Sequence, residues 1–203
     1  MKEFAKRLKS IKKTYGESSE EYIEANNSFK AYGCEAGTKG CSEKVGSSQV
    51  IVEVGTLPAG ESAMENRGAD GKKAIVTLDS AALSNGYDIL GDIAHEGVHA
   101  HDDINYINSN KQQKVSDYES ERRGFVVTSA IEELVASRSS RSSGIAQVTI
   151  YDQSWKTLNP KLKPSENVRN ERAKQIDKLL AVPRSQGGIY GFTKDAPGQS
   201  YFP

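Results

Sequence analysis

The sequence predicts an α+β domain in which a small sheet packs on one helix bearing the chemistry and on a second helix that follows it. Three observations predict it. Residues 49–54 (QVIVEV) and 73–78 (KAIVTL) are short β-branched runs with the propensity and length of strands. Around them, apolar residues recur at the three-to-four spacing of amphipathic helices. The chain's 3 histidines, His95, His99 and His101, all fall within residues 95–101, in a helix-compatible window that follows the second run.

At 203 residues the chain is long enough for one domain with a real core and short of two sizeable ones. It reads as a single unit over 1–203. Residues 1–48 form a helical N-terminal part with a loop, 49–182 the core bearing the candidate site, and 183–203 an irregular tail. Mean hydropathy is −0.62 with 36% hydrophobic residues, which is polar but short of a disordered composition. Lys plus Arg and Asp plus Glu are 27 each, so net charge gives no reason to expect nucleic acid as a partner. No apolar run approaches the roughly 18 residues of a membrane span, so no membrane insertion is expected. The N-terminal stretch is basic but lacks the apolar segment of a secretory signal, which leaves three expectations open: a cytosolic protein, secretion or delivery into a target cell without a cleaved signal peptide, or a domain cut from a longer chain.

In chain order, Phe4, Leu8 and Ile11 set a helix over 2–14, and Ser18 or Ser19 opens a second over 19–29. Residues 32–48 are rich in Gly, Ser, Lys and Glu and read as loop. Its Cys34 and Cys41 are either separate thiols or a disulfide worth about 2–3 kcal/mol on the loop-entropy estimate. Two thiols alone cannot complete a four-ligand zinc site. After the strand at 49–54, residues 60–71 read as a second polar loop. The strand at 73–78 follows, then a turn at Asn85-Gly86. Asp88 is the expected N-cap of a helix to about 103, with small Ala94 and Gly97 where a neighbouring element must approach. A longer helix over 113–136 has its apolar stripe on Val127, Ala130, Ile131, Leu134 and Val135. Residues 137–144 read as loop, 147–151 as a strand or the start of an extended segment, and 168–180 as a charged helix.

His95-Glu96-Gly97-Val98-His99 is an H-E-x-x-H pattern on a helix. Histidines at i and i+4 share one face, so both imidazoles can reach one Zn²⁺ at about 2.0–2.1 Å. Glu96, next to the first ligand, is placed to act as general base on the zinc's water. Asp103, one turn after His99, is a candidate to orient a ligand imidazole. His101 faces away from His99 and reads as a surface residue.

A catalytic zinc needs a third protein ligand. The metzincin pattern is excluded: position 105 is Asn, and the only methionines are Met1 and Met64. The next helix offers Glu119 and Glu121, which face different ways, so only one can point at the metal. Gly124, one turn after Glu121, would let this helix pack closely on the H-E-x-x-H helix, which favours Glu121 over Glu119. Tyr151 is a candidate to stabilise an oxyanion. The strand at 73–78 is a candidate edge to which an extended peptide substrate could add.

HEGVH followed by ESERRGFVVTSA resembles the glutamate-zincin peptidases found as toxin domains of bacterial Rhs-type and VgrG-like type VI secretion effectors. These pair H-E-x-x-H with a Glu-x-x-Ala-aromatic motif on the next helix. Here that motif reads Glu121-Arg-Arg-Gly124-Phe125, with Gly in place of Ala, and YDQSW at 151–155 resembles the aromatic segment that follows. The resemblance covers about residues 73–155. It implies a zincin-like fold, Zn²⁺ on His95, His99 and Glu121, and Glu96 as general base. It also implies a protein or peptide substrate and a cognate immunity protein. The competing readings are a non-catalytic protein using the same zinc structurally, and a zinc amidase acting on cell-wall peptides.

Overall fold

The computed structural model describes residues 1–33, 49–84, 89–133, 166–183, 185 and 190–192. Over these residues the chain is α+β, a three-stranded mixed sheet with six helices. Helix α1 (Lys2–Tyr15) buries Phe4, Leu8 and Ile11, the residues its spacing selects. It stops at Gly16, where φ is 100° and the N–H returns to the Lys12 carbonyl at 3.1 Å, a backbone that favours glycine. Helix α2 (Glu20–Ala31) begins at Ser19, whose Oγ accepts the Tyr22 N–H at 3.2 Å.

The sheet has strands β1 (Val50–Gly55), β2 (Ala63–Arg67) and β3 (Ala74–Asp79), in the order β1-β3-β2. β1 runs parallel to β3 and β2 antiparallel to it. Two expectations are corrected here. The polar segment 60–71 contains a strand, β2, whose AMENR sequence has no β-branched residue. Its pairing is set by β3, with Glu65 opposite Val76 and Asn66 opposite Ile75. The strand at 73–78 is central rather than an edge, because β1 and β2 flank it on both sides. The edge beside the candidate site is β2.

Asp79 ends β3 by accepting the Leu57 and Ala82 N–H groups at 3.1 and 2.8 Å, which starts the short α3 (Ser80–Ser84). Helix α4 (Leu90–Asn108) carries the histidines and runs beyond 103 to Asn108. Helix α5 (Asp117–Glu133) begins at 117 rather than 113, and α6 (Glu166–Ala181) follows. The Asn85-Gly86 turn, Asp88, Cys34, Cys41, Leu134, Val135, the 137–144 loop and the 147–151 segment with Tyr151 lie outside the described residues.

The main core joins α1, α2, β1, β3, α4 and α5 through residues such as Phe4, Phe29, Val76, Val98 and Ile131. A second cluster, Tyr118, Phe125, Val126, Ile176, Leu179 and Leu180, joins α5 to α6, with Tyr190 and Phe192 against it. α2 approaches α4 closely at Gly97. A Cβ there would lie 2.1 Å from Ser28 Oγ and 2.7 Å from Tyr32 Cε2. Tyr32 cannot easily yield, because it is buried and its hydroxyl donates to the Ile93 carbonyl at 2.6 Å. Gly97→Ala should therefore destabilise by about 1–3 kcal/mol through overpacking, although helix propensity alone favours Ala by about 1 kcal/mol. Denaturant unfolding checks the sign, and a more stable G97A protein would contradict this packing.

Candidate metal centre

α4 and α5 bring three side chains to one point. His95 Nε2 lies 3.0 Å from Glu121 Oε2, and His99 Nε2 lies 3.7 Å from Glu121 Oε1. The i, i+4 spacing on α4 sets the two rings edge to face, with centroids 4.8 Å apart. Both rings are buried, as is most of the Glu121 side chain. Ligand-capable atoms of His95, Glu96 and His99 also lie within 4.8 Å of one another, so either carboxylate is near enough to a shared cation. Their tethers separate them. Glu121 faces both imidazoles, whereas Glu96 Oε2 accepts the Glu65 N–H of β2 at 2.7 Å. Glu119 faces elsewhere: its carboxylate, 38% exposed, pairs with Arg122 and Arg123 on its own helix.

Gly124 makes this convergence possible. A Cβ there would lie 2.7 Å from Cε1 and Nε2 of His95, in steric overlap with the face of the imidazole. The glycine at position 124 thus has a local cause, because α5 passes directly over the His95 ring. Phe125 also lies against this ring, edge-on to His95 with centroids 4.8 Å apart.

The outer nitrogens of the rings are fixed as well. Ser120 Oγ donates to Asp102 Oδ2 at 2.7 Å and sits 2.8 Å from His99 Nδ1. A serine has one proton, so with that proton on Asp102 it accepts from His99 Nδ1–H, and the lone pair of His99 falls on Nε2. Asp102 is held in turn by Arg123 Nη2 at 2.5 Å. Thr128 Oγ1 donates to the Gly91 carbonyl at 3.2 Å and lies 3.5 Å from His95 Nδ1, a weaker version of the same arrangement. Two imidazole nitrogens, each with a hydroxyl behind the ring, and a carboxylate fit the N₂O donor set of a catalytic zinc.

Comparison of the chain with protein-family models, with curated proteins and with solved structures finds no match.

The expected site residues thus divide. His95, Glu96, His99 and Glu121 come together. Asp103 does not take the expected role: it accepts from Arg67 Nη2 at 2.9 Å and Nε at 3.3 Å, across from β2. The carboxylate behind His99 is its neighbour Asp102, reached through Ser120. His101 is half-buried rather than a surface residue, lies against Asn105, and has its pKa lowered by burial. Two neighbours carried no sequence signal: the backbone N–H of Glu65, which Glu96 accepts, and Tyr190, whose ring lies edge-on to Phe125 with centroids 5.9 Å apart. Tyr190 falls in the segment expected to be an irregular tail. The Ser120 hydroxyl, one residue before Glu121, could have been found as a buried polar position on the metal-facing side of α5.

Electrostatics follow from burying two carboxylates beside two imidazoles. Burial lowers the pKa of His95, but the hydrogen bond and charge of Glu121 outweigh it and raise the group to about 9. A proton on Nε2 there stands in for a cation between imidazole and carboxylate. His99 is pushed down to about 4, chiefly by burial. Glu96 is pushed up to about 8 by burial, with the Glu121 charge adding and His95 opposing. Glu121 is held below its usual range because the two histidines outweigh its burial.

The sign of the pH dependence follows. The folded, metal-free state keeps protons on His95 and Glu96 that the unfolded chain has released by about pH 6.5 and 4.5. Their stabilisation is complete below those values and is lost as pH rises through about 8 and 9. His99 acts in the opposite sense but only below about pH 6.5. Chelator-treated protein should therefore melt at progressively lower temperature from pH 6.5 to 9, and added zinc should remove that decline by replacing the protons. Thermal melts across this range, with and without zinc, check it.

Proposed function

We propose that this chain is a zinc metallopeptidase of the glutamate-zincin type, with a zincin-like fold. The observation that carries this is the convergence of His95 Nε2, His99 Nε2 and the Glu121 carboxylate from two helices, with Glu96 beside them but tethered to β2. A purely structural site has no use for a buried carboxylate held next to the ligands. A zinc bound there would supply a Lewis acid and lower the pKa of a water it binds.

The chain's own groups account for the rest of the reaction. Glu96, held by the Glu65 N–H, takes a proton from the attacking water as its oxygen bonds to the peptide carbonyl carbon. It returns that proton to the nitrogen as the C–N bond breaks. The carboxylate can serve at neutral pH only when a cation nearby offsets its burial, so base and metal act as a unit. β2 supplies the edge for an extended substrate. The flanking Asp79–Ser62 and Gly68–Lys73 bonds give Met64 and Asn66 to β3, so the backbone groups of Ala63, Glu65 and Arg67 face outward, the Glu65 N–H being the one Glu96 takes.

The resemblance to Rhs and VgrG-like toxin domains extends the proposal to an effector domain, delivered into a target cell without a cleaved signal and countered by an immunity protein. Among the described residues no helix is long and apolar enough to cross a membrane.

Purified protein should bind about one zinc, and Glu96→Gln should keep that zinc while losing hydrolysis of an unfolded protein substrate by at least about 10²-fold. Chelation should abolish wild-type activity, and zinc should restore it. A zinc-replete E96Q protein that cleaves at the wild-type rate would overturn the assignment of Glu96. Activity confined to peptidoglycan fragments would favour the amidase reading.

A further inference from the structure

We propose that the exposed face of α1 is a docking surface for an anionic lipid bilayer, which the protein contacts peripherally and without insertion; this stands apart from the metal centre. Lys2, Lys6, Lys9 and Lys13 are all exposed. At 3.6 residues per turn their spacing gathers them within about 60° of arc, in a row about 16 Å long. The row lies opposite Phe4, Leu8 and Ile11, which are buried in the main core. A helix whose apolar side is committed to the core has nothing left to place in hydrocarbon, so charge alone holds it to a membrane.

The charge of this face is not neutralised within the fold. Among the described residues, Lys2, Lys9 and Lys13 have no carboxylate partner. Lys6 meets Glu3 at 3.2 Å, with the two side chains 75% and 51% exposed. So exposed a pair contributes little and leaves the ammonium open to a second anion. The other basic groups of α1 stand off the row: Arg7 is half-buried and pairs with Glu3, and Lys12 pairs with Glu17 at 2.8 Å. A bilayer fits this face better than a nucleic acid does. The four ammonium groups form one ridge that meets a plane of headgroup phosphates side by side. The arc holds no Arg, Asn or Gln to read base edges and no aromatic ring to stack on a base. With 27 basic and 27 acidic residues the whole molecule has no net charge, so the attraction is local to the ridge and orients the protein on the surface.

Co-sedimentation of the full chain with lipid vesicles tests this. Binding is expected to phosphatidylcholine vesicles containing roughly a third phosphatidylserine in about 0.05 M salt, and should vanish in about 0.5 M salt or on phosphatidylcholine alone. Lys2→Gln, Lys6→Gln, Lys9→Gln and Lys13→Gln together keep helix propensity and touch no core residue. They should weaken binding by about 5-fold per lysine and roughly several-hundred-fold together. Replacing the exposed Lys30, Lys72, Lys114 and Lys178 by Gln removes the same charge elsewhere and should leave binding largely unchanged. Wild-type protein that stays in solution beside the phosphatidylserine vesicles overturns the proposal, as do equal losses in the two variants. Tighter binding to a duplex oligonucleotide than to these vesicles overturns it in favour of nucleic acid.

Discussion

The chemistry depends on how closely α4 and α5 can approach each other. A metal shared by side chains on two helices requires backbones near enough for an imidazole and a carboxylate to meet, and Cβ atoms are the obstacle. Gly124 removes the Cβ that would clash with the face of the His95 ring, and Gly91 faces Thr128 and Glu132, where a Cβ would already be tight at 3.2 Å. Gly97 does the same on the opposite side of α4, letting α2 support the helix from behind. α4 is therefore clamped between two neighbours at the turn that carries the histidines, and its rings have little freedom to turn away.

Burying this much charge has a cost that the surrounding groups must offset. Arg123 is the hub. It contacts Asp102 on α4 at 2.5 Å and Glu24 on α2 at 3.4 Å, and its Nε donates to the Glu119 carbonyl at 3.3 Å. Through Asp102 and Ser120 the same guanidinium fixes the tautomer of His99. Arg67 does comparable work on the sheet side, pairing with Asp103 and lying over the Tyr106 ring at 4.7 Å. Charges that look like a solvated helix face in sequence are thus the frame that orients the ligands.

What the sequence makes legible is what local periodicity determines. The helix that carries the histidines as far as 103, its two inward histidines and the close approach at Gly124 follow from 3.6-residue geometry and residue size. β2 does not, because AMENR owes its extended form to pairing with β3 rather than to its own propensity. Strand order is equally hidden, so β3 could be taken for an edge. Asp102 and Asp103 both lie about one turn past His99. What separates them is Ser120 on α5 and Arg67 on β2, partners far away in the chain. Tyr190 sits in a Gly-rich stretch with no periodicity, and only the tertiary fold brings it against Phe125.

The most direct test of the central claim is zinc-edge X-ray absorption on the stoichiometric zinc-loaded protein. The account predicts two imidazole nitrogens and a carboxylate oxygen in a light-atom shell at about 2.0–2.2 Å. Sulfur at about 2.3 Å, or a shell without imidazole, would put the metal elsewhere in the chain and contradict the site on α4 and α5.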